Sequence, residues 1–305
     1  MNEFDFIEKL VSNLPIESPN VLIDFGDDCA CVKLGNENLL FTIDSQIEGV
    51  HFLKDKINPK DLGWKLVSVN VSDIVACGGI PKWGLISVCI AKNEFSKKFA
   101  EGLYLGLKEA LDFYQFSIIG GNTSSSSHLG FDLALVGTTK RFVSRSGARI
   151  GDKVYISGYT GLSRAGLELL LMNKETYENW EIELIKSHVR PKARIDFQPT
   201  IEKFATSCID ISDGLVADIN HIAKASKKKV VLFKEKLPLH PTLGKYCKVY
   251  DKNPLDYILY GGEDYELIFT TDKNMENAFL VGKVEEGEGV FLDDKPIEVH
   301  GFSHL

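Results

Sequence analysis

No segment of this 305-residue chain approaches the roughly 18 consecutive apolar residues that a transmembrane helix needs. Residues 1–5 are acidic, without the basic and apolar segments of a signal peptide, so we expect none. Basic residues are in deficit: 35 Lys and Arg stand against 43 Asp and Glu, a formal net charge of −8. Nucleic-acid binding normally needs a basic surface. We therefore expect neither a membrane nor a nucleic acid as a partner.

The cysteines do not form a zinc-binding pattern. Cys29 and Cys31 make one C-x-C pair, and no second pair stands at zinc-site spacing. The others, Cys77, Cys89, Cys208 and Cys247, are scattered through mostly apolar segments. Such cysteines are typical of free, buried thiols in a reducing compartment. We predict a cytoplasmic protein.

Several common catalytic motifs are also missing. The sequence has no G-x-x-x-x-G-K-[ST] phosphate loop and no protein-kinase motif set. It has neither a G-x-S-x-G nucleophile elbow nor an H-E-x-x-H metal-binding helix. If the protein acts on phosphates, carboxylates and a metal ion must therefore carry the chemistry.

Acidic residues recur in short segments, most of them marked by glycine. They are residues 26–28, 44–51, 70–73, 210–214 and 261–264. Most follow an apolar run that we interpret as a strand, which would place the carboxylates at strand ends. Clustered carboxylates repel each other unless cations compensate them. Mg²⁺ is the natural cation, because it prefers oxygen ligands and commonly binds together with substrate phosphates.

Each segment also has a simpler interpretation. Ser212 or Asp213 could merely cap the following helix, although a cap does not require Asp210 at a strand end. Asp73 shares a helix face with the residue three positions earlier and could face solvent or a metal. A lone histidine such as His51 is more often structural than functional. Residues 120–123, Gly-Gly-Asn-Thr, could bind a phosphate through backbone N–H groups or form a tight turn.

The pattern of elements indicates an α+β fold. Apolar residues at helical spacing predict helices over 59–76 and 97–114, and apolar runs predict strands at 39–43, 83–91 and 131–139. A short strand at 116–119 is expected to end at the glycine pair, and residues 124–127 to form a polar loop. Strands and helices mix without strict alternation, which favours sheets covered by helices on one face. A segment at 141–152 rich in Arg, Ser and Gly suggests two domains, 1–142 and 143–305.

Taken in order, the motifs resemble the thiamine-monophosphate kinase family, within a superfamily shared with aminoimidazole ribonucleotide synthetase. The resemblance rests on residues 26–30, 44–52, 70–81, 120–121, 145–152, 210–215 and 261–267. It implies a homodimer in which N-terminal mixed sheets pair into a central barrel. The N-terminal domain would bind ATP, and a C-terminal α/β domain would complete the active site. The implied reaction is a direct, in-line transfer of phosphate from ATP to thiamine monophosphate, assisted by several Mg²⁺ ions.

The resemblance also assigns site residues. Those implied to hold Mg²⁺ are Asp28, Thr42, Asp44, Asp73, Asn122, Asp210 and Asp213; those implied to bind ATP are Tyr104, Gly121, Asn122, Arg145 and Ser212; those implied to contact the thiamine substrate are His51, Glu263 and Phe302.

One position departs from the family pattern. The family usually has Gly-Gly-Asp-Thr where this chain has Asn122 in the third place, and an amide oxygen lacks the negative charge of a carboxylate. Two alternative functions remain open. The chain could be another ATP-dependent enzyme of the superfamily, or a non-catalytic sensor of nucleotide or Mg²⁺. Retention of His51 and Glu263 argues against a sensor, which would need no thiamine pocket.

Overall fold

The computed structural model describes residues 3–14, 18–91 and 96–301. Helices and strands alternate irregularly along it. The helices are α1 (Glu3–Ser12), α2 (Pro59–Ala76), α3 (Lys97–Tyr114), α4 (Leu162–Leu171), α5 (Asn179–Val189), α6 (Gln198–Phe204), α7 (Leu215–Ser226), α8 (Pro241–Val249) and α9 (Pro254–Tyr260). In the described ranges, no helix is long and apolar enough to cross a membrane.

Two mixed sheets divide the strands by chain position. The first sheet has the order β1-β2-β3-β6-β4-β5, and only β4 and β5 run parallel. Its strands are β1 (Val21–Ile23), β2 (Ala30–Leu34), β3 (Glu37–Ile47), β4 (Ile80–Ala91), β5 (Ser117–Ser126) and β6 (Gly130–Thr139). The α+β class predicted from the sequence is confirmed.

The second sheet has the order β13-β12-β9-β11-β7-β10-β8 and is antiparallel except where β12 meets β9. Its strands are β7 (Lys153–Ile156), β8 (Ser207–Asp210), β9 (Lys229–Leu232), β10 (Leu267–Thr271), β11 (Phe279–Glu285), β12 (Gly289–Leu292) and β13 (Lys295–Pro296). The predicted boundary after residue 142 falls between the two sheets. We propose it as the domain boundary, although one hydrophobic cluster joins residues from both sides.

Helix α2 lies at the centre of the molecule. It starts where Pro59 occupies the first helical turn and Asn58 accepts a hydrogen bond from the N–H of Lys60 at 2.9 Å. Most of its residues are buried because it contacts α3, the first sheet, β8 and α5. Its approach to α3 requires glycine, since a Cβ at Gly106 would lie 1.8 Å from the carbonyl oxygen of Lys60. The polar residues of α2 are therefore held rigidly between the two halves.

Among the described residues, α2 and α3 cover one face of the first sheet and leave large apolar side chains exposed on the other. On the other face, Ile43 of β3 and Leu85 of β4 both pair with Ala134 of β6, one from each side. Phe41 and Trp83 pair in the same way with Val136, two residues further along β6. These four large side chains are 40–65% exposed. A contiguous apolar surface of this kind usually marks an interaction site.

Three predictions about the first sheet are wrong. Residues 120–123 do not form a turn, and residues 124–126 do not form a loop, because both lie inside β5 and pair with β4. Asp44 does not end a strand, because β3 continues to Ile47 through its pairing with β6. Helices α2 and α3, by contrast, have the predicted bounds.

Candidate active site

A cleft of about 1020 Å³ lies between the two halves of the chain. Its lining includes residues 42–47 of β3, the part of the strand that does not pair with β2. The second half contributes Asp210 at the end of β8, Ser212 and Asp213 from the turn after it, and Gly262, Glu263 and Tyr265 from a later loop. Two backbone hydrogen bonds join these segments: the Glu263 N–H donates to the Ser212 carbonyl at 2.8 Å, and the Tyr265 N–H donates to Ile211 at 2.9 Å. Acidic motifs more than 160 residues apart in sequence therefore meet at one cleft.

Carboxylates converge at one end of this cleft. Oxygens of Asp28, Asp73 and Asp210 lie within 4.8 Å of one another. Asp44 and Asp213 line the same cleft. The five aspartates come from the segment before β2, from β3, from α2 and from the end of β8 and the turn after it. The structure thus brings together all five aspartates predicted to hold metal.

Hydrogen bonds from neighbouring polar side chains orient the cluster. The Thr42 hydroxyl donates to Asp73 Oδ2 at 2.5 Å, and the Asp44 N–H donates to Asn70 Oδ1 at 2.9 Å. Asn70 is fully buried on α2 and donates in turn to the Leu66 carbonyl. The solvent-facing interpretation of this helix face is therefore wrong.

The turn after β8 is not a simple helix cap. The N-cap position of α7, directly before Leu215, is occupied by Gly214 and not by Ser212 or Asp213, and it has no side-chain cap. Instead, Asp218 inside α7 accepts the N–H groups of Asp213 and Gly214 at 3.1 and 3.0 Å. The capping interpretation is wrong, and the side chains of Ser212 and Asp213 line the cleft.

The cluster is electrostatically strained without a cation. Burial, followed by repulsion from neighbouring carboxylates, raises the pKa of Asp44 to about 6. Burial also raises the pKa of Asp28 to about 7 and that of Asp210 to about 6, in spite of the opposing effect of the Arg145 guanidinium. The pKa of Asp73 is raised well above its ordinary value by burial and by Asp44 and Asp210. Ionised aspartates therefore cost the fold free energy, and positive charge supplied at the cluster would offset that cost.

Arg145 supplies part of that charge. It precedes β7, and its Nη2 forms a short hydrogen bond with Asp28 Oδ1. Asp27 accepts the backbone N–H of Arg145 at 3.2 Å and also the Ser144 hydroxyl at 2.6 Å. The guanidinium therefore lies at the edge of the cluster with its position fixed by carboxylates.

The donor set fits divalent cations. Among the described residues, Asp28 Oδ2 and Asp210 Oδ2 are buried oxygens without a hydrogen-bond partner. Buried carboxylate oxygens are normally paired, and a cation would satisfy both. The ligand atoms that Asp28, Asp73 and Asp210 bring together are all oxygens, which suits Mg²⁺.

The other end of the cleft has a different character. Glu263 and His51 line both the cleft and an adjoining pocket of about 210 Å³. That pocket is mainly apolar, and its lining includes Phe52, Ile57 and Leu170. The cleft thus joins a carboxylate-rich end to a small apolar pocket with polar groups at its entrance, an arrangement suited to a ligand with a charged and an aromatic part.

The chain resembles known proteins along its whole length. Residues 26–139 match the family model for the N-terminal domain of AIR synthase related proteins. The thiamine-monophosphate kinase of Aquifex aeolicus is 52% identical over 309 residues, which cover 100% of this chain and 98% of that protein. The thiamine-monophosphate kinase of Buchnera aphidicola from Acyrthosiphon pisum is 35% identical, with 99% and 98% covered. A solved structure of AaThiL complexed with AMPPCP and TMP superposes with a TM-score of 0.94 at 48% identity, covering 100% of this chain and 97% of that one.

This chain belongs to the thiamine-monophosphate kinase family. Three residues that the resemblance assigned to the site of a thiamine-monophosphate kinase lie outside the cleft of this chain. Tyr104 is exposed on α3, and Gly121 and Asn122 lie in β5 at the edge of the first sheet. A Cβ at Gly121 would lie 2.0 Å from the carbonyl oxygen of Ile86, so strand packing alone requires glycine there. Phe302 lies outside the described residues.

Three further residues of this thiamine-monophosphate kinase family member touch the site but were not predicted from sequence. Asp27 binds Arg145, while Lys65 and His188 contact Glu263. Lys65 carried a usable signal, because a lone charged residue interrupts the apolar run of α2. His188 lies near the end of α5 without a comparable local signal.

Proposed function

We propose that this chain transfers the terminal phosphate of ATP to thiamine monophosphate and releases thiamine diphosphate and ADP. Membership in the thiamine-monophosphate kinase family supports the activity. The observation that carries the proposal is the single cleft that joins the five aspartates to Glu263 and His51. One end suits phosphates with their cations, and the other suits an organic substrate. Phosphoryl transfer depends mainly on this kind of positioning and charge neutralisation.

The aspartates would hold Mg²⁺. Asp28, Asp73 and Asp210 form the tightest group, Asp44 and Asp213 flank it, and Thr42 orients Asp73. When bound, the ions neutralise the phosphate oxygens and withdraw charge from the transferring group. Asp73 and Asp210 are held close together by two buried elements, α2 and β8.

The remaining assignments follow from position in the cleft. Arg145 lies beside the cluster, where a guanidinium can donate two hydrogen bonds to a phosphate. Ser212 lies in the turn after Asp210. We assign both to ATP. His51 and Glu263, at the entrance of the apolar pocket, are assigned to thiamine monophosphate.

We also propose that the protein works as a homodimer. The exposed apolar face of the first sheet, formed by Phe41, Ile43, Trp83 and Leu85, would pack against a second copy. Burying such a face is favourable at roughly 25 cal/mol per Å² of apolar area. Pairing of two such sheets would build the dimeric barrel that the family resemblance implies.

The dimer gives Asn122 a route to the site. Within one chain, β6 and β4 separate β3 from β5, so Asn122 is three strand spacings, about 14 Å, from the strand that carries Asp44. In the described ranges, residues 42–47 of β3 have no strand partner on their outer side, and β5 is the outermost strand at the far edge. If the outer edge of β5 faces that open stretch of β3, Asn122 of the partner subunit lies beside Asp44. Gly121 and Tyr104 of the partner subunit would accompany it.

The direct test is incubation with ATP, Mg²⁺ and thiamine monophosphate, followed by chromatographic assay for thiamine diphosphate and ADP. We expect both products in equal amounts. ADP without thiamine diphosphate would indicate another reaction of the superfamily. Nucleotide binding without either product, at high Mg²⁺ and with folded protein, would indicate a sensor. The cytoplasmic location predicted from the cysteines remains part of this proposal.

A further inference from the structure

A buried lysine is among the residues that line the apolar pocket at the substrate end of the cleft. Lys65 is in the middle of α2, and its side chain is fully buried. Its Nζ lies 2.8 Å from Glu263 Oε1, and no other acidic partner is found for it in the described part of the chain. An unpaired ammonium group in such a place would be strongly destabilising. The interaction with Glu263 is therefore needed to keep Lys65 inside the fold.

The second oxygen of Glu263 has its own partner. His188 on α5 places Nδ1 3.3 Å from Glu263 Oε2 and 3.1 Å from the Ser163 hydroxyl of α4. Burial lowers the pKa of His188 to about 4, so the ring is neutral at physiological pH. Both carboxylate oxygens of Glu263 are thus held, one by a charge on α2 and one by a ring on α5. The side chain is still 28% exposed toward the cleft.

Glu263 has an unusual backbone conformation. Glu263 has φ of +59°, a left-handed conformation that is uncommon for residues other than glycine, and Tyr265 has φ of +53°. The loop is tied to the turn after β8 by the Glu263 N–H. The side chain points from this loop toward α2, where Lys65 meets it. The charge of Lys65 also lowers the pKa of Glu263 against the opposing effect of burial.

We propose that Lys65 is a positioning residue, which fixes the Glu263 carboxylate at the entrance of the apolar pocket as an acceptor for the organic substrate. His188 contacts the other oxygen of the same carboxylate. The inference rests on the proposed function, because it assumes that Glu263 contacts thiamine monophosphate. Lys65 is among the residues that line the apolar pocket, and in the described part of the chain its one ion pair is with Glu263 and none is with the five aspartates. We therefore expect its effect to fall on the organic substrate.

A double-mutant cycle tests the assignment. The variants are Lys65→Met, Glu263→Gln and the double variant, and Lys60→Met is the control. Lys60 lies one turn earlier on α2, is 45% exposed and pairs with Glu109 at the surface. Steady-state kinetics would give kcat and the KM for each substrate, and thermal unfolding would be followed in parallel.

We expect Lys65→Met to raise the KM for thiamine monophosphate by roughly tenfold and to change the KM for ATP by less than about twofold. A tenfold change corresponds to about 1.4 kcal/mol, which lies within the range of coupling energies between residues in contact. Glu263→Gln should have a similar effect. The double variant should be no worse than Glu263→Gln alone, because Lys65 acts only through that carboxylate. Its midpoint of thermal unfolding should exceed that of Glu263→Gln, which leaves a buried ammonium group unpaired. Lys60→Met should match the wild type.

Three results would overturn the assignment: multiplicative effects of the two substitutions on KM, an equal rise of both KM values in Lys65→Met, or the same change in Lys60→Met. If Lys65→Met does not fold, Glu263→Gln and the double variant still test the pairing of Lys65 with Glu263. A double variant that unfolds at a lower temperature than Glu263→Gln contradicts that pairing. A wild-type protein that makes no thiamine diphosphate overturns the proposed function and this inference with it. An active wild type with an unchanged KM in Lys65→Met overturns this inference alone.

Discussion

Replacing Asp210 by asparagine should stabilise the metal-free protein and abolish its activity. Asp210 is the last residue of β8, almost fully buried, with a carboxylate oxygen that has no hydrogen-bond partner in the described part of the chain. Asparagine keeps the shape and removes the charge. A change in the free energy of unfolding on this substitution therefore reports the electrostatic cost of the charge and not a change in packing.

The size of the effect follows from the pKa. Burial and the neighbouring carboxylates raise the pKa of Asp210 from 3.8 to about 6. Each tenfold change in proton affinity corresponds to about 1.4 kcal/mol, so ionised Asp210 costs the metal-free fold about 3 kcal/mol. Below pH 3.8 the carboxyl is protonated in both the folded and the unfolded state, and the cost vanishes. It grows as the pH rises toward 6 and is fully present above that pH, because the folded state binds the proton more tightly.

Thermal unfolding in EDTA between pH 5 and pH 8 measures this difference. At pH 8 the Asp210→Asn variant should unfold up to about 6–10 °C above the wild type, and the gap should narrow toward pH 5. Mg²⁺ should stabilise the wild type more than the variant, because the variant has lost a ligand. Asp112→Asn, at an exposed site on α3 paired with Lys108, is the control and should change little.

A variant that unfolds at or below the wild-type temperature in EDTA at pH 8 would refute the reasoning. So would a gap that does not depend on pH. Either result would mean that the carboxylate is already compensated in the metal-free protein, for instance by Arg145.

Three other substitutions test the proposed site and assembly. Asn122→Asp should lower the Mg²⁺ concentration for half-maximal rate several-fold by restoring a charged ligand, and an unchanged requirement would count against a role for this position in metal binding. Arg145→Gln should raise the KM for ATP roughly 10- to 100-fold through loss of charge-assisted hydrogen bonds; unaltered ATP affinity in a calorimetric titration would contradict its assignment. Leu85→Glu, on the exposed face of the first sheet, should convert a dimer to monomers in light scattering and remove activity, whereas Val249→Glu, exposed at the end of α8, should do neither. A Leu85→Glu variant that stays dimeric would place the interface elsewhere.

Local pattern was enough for much of the secondary structure and for the choice of acidic residues. Helices α2 and α3 begin and end where the sequence predicts. Each follows a capping residue, Asn58 or Ser96, and α3 in addition has a clear amphipathic period, whereas α2 is apolar on most sides. The five aspartates stand in short motifs whose order along the chain is specific to a family. Charge repulsion among them is a property of the residue type, so the need for a cation could be inferred before any contact was known.

Local pattern failed where pairing between distant segments determines the structure. Residues 120–126, rich in Gly and Ser, have little strand propensity, yet they form β5 because β4 offers them a hydrogen-bonding edge. Asp44 continues a strand for the same reason, since β6 pairs with β3 through Ile47. Strand propensity depends on context, and the partner strand is invisible in a single segment.

The sequence by itself determined which residues could form a magnesium and phosphate site and which family the motifs resemble, because both depend on residue type and order. Only the tertiary structure decided how those residues combine. It paired Arg145 with Asp28, placed a fully buried Lys65 against Glu263, and left Asn122 three strands away from Asp44. Each relation joins segments from separate elements, and its geometry depends on the packing of α2 between two sheets, which no local pattern encodes.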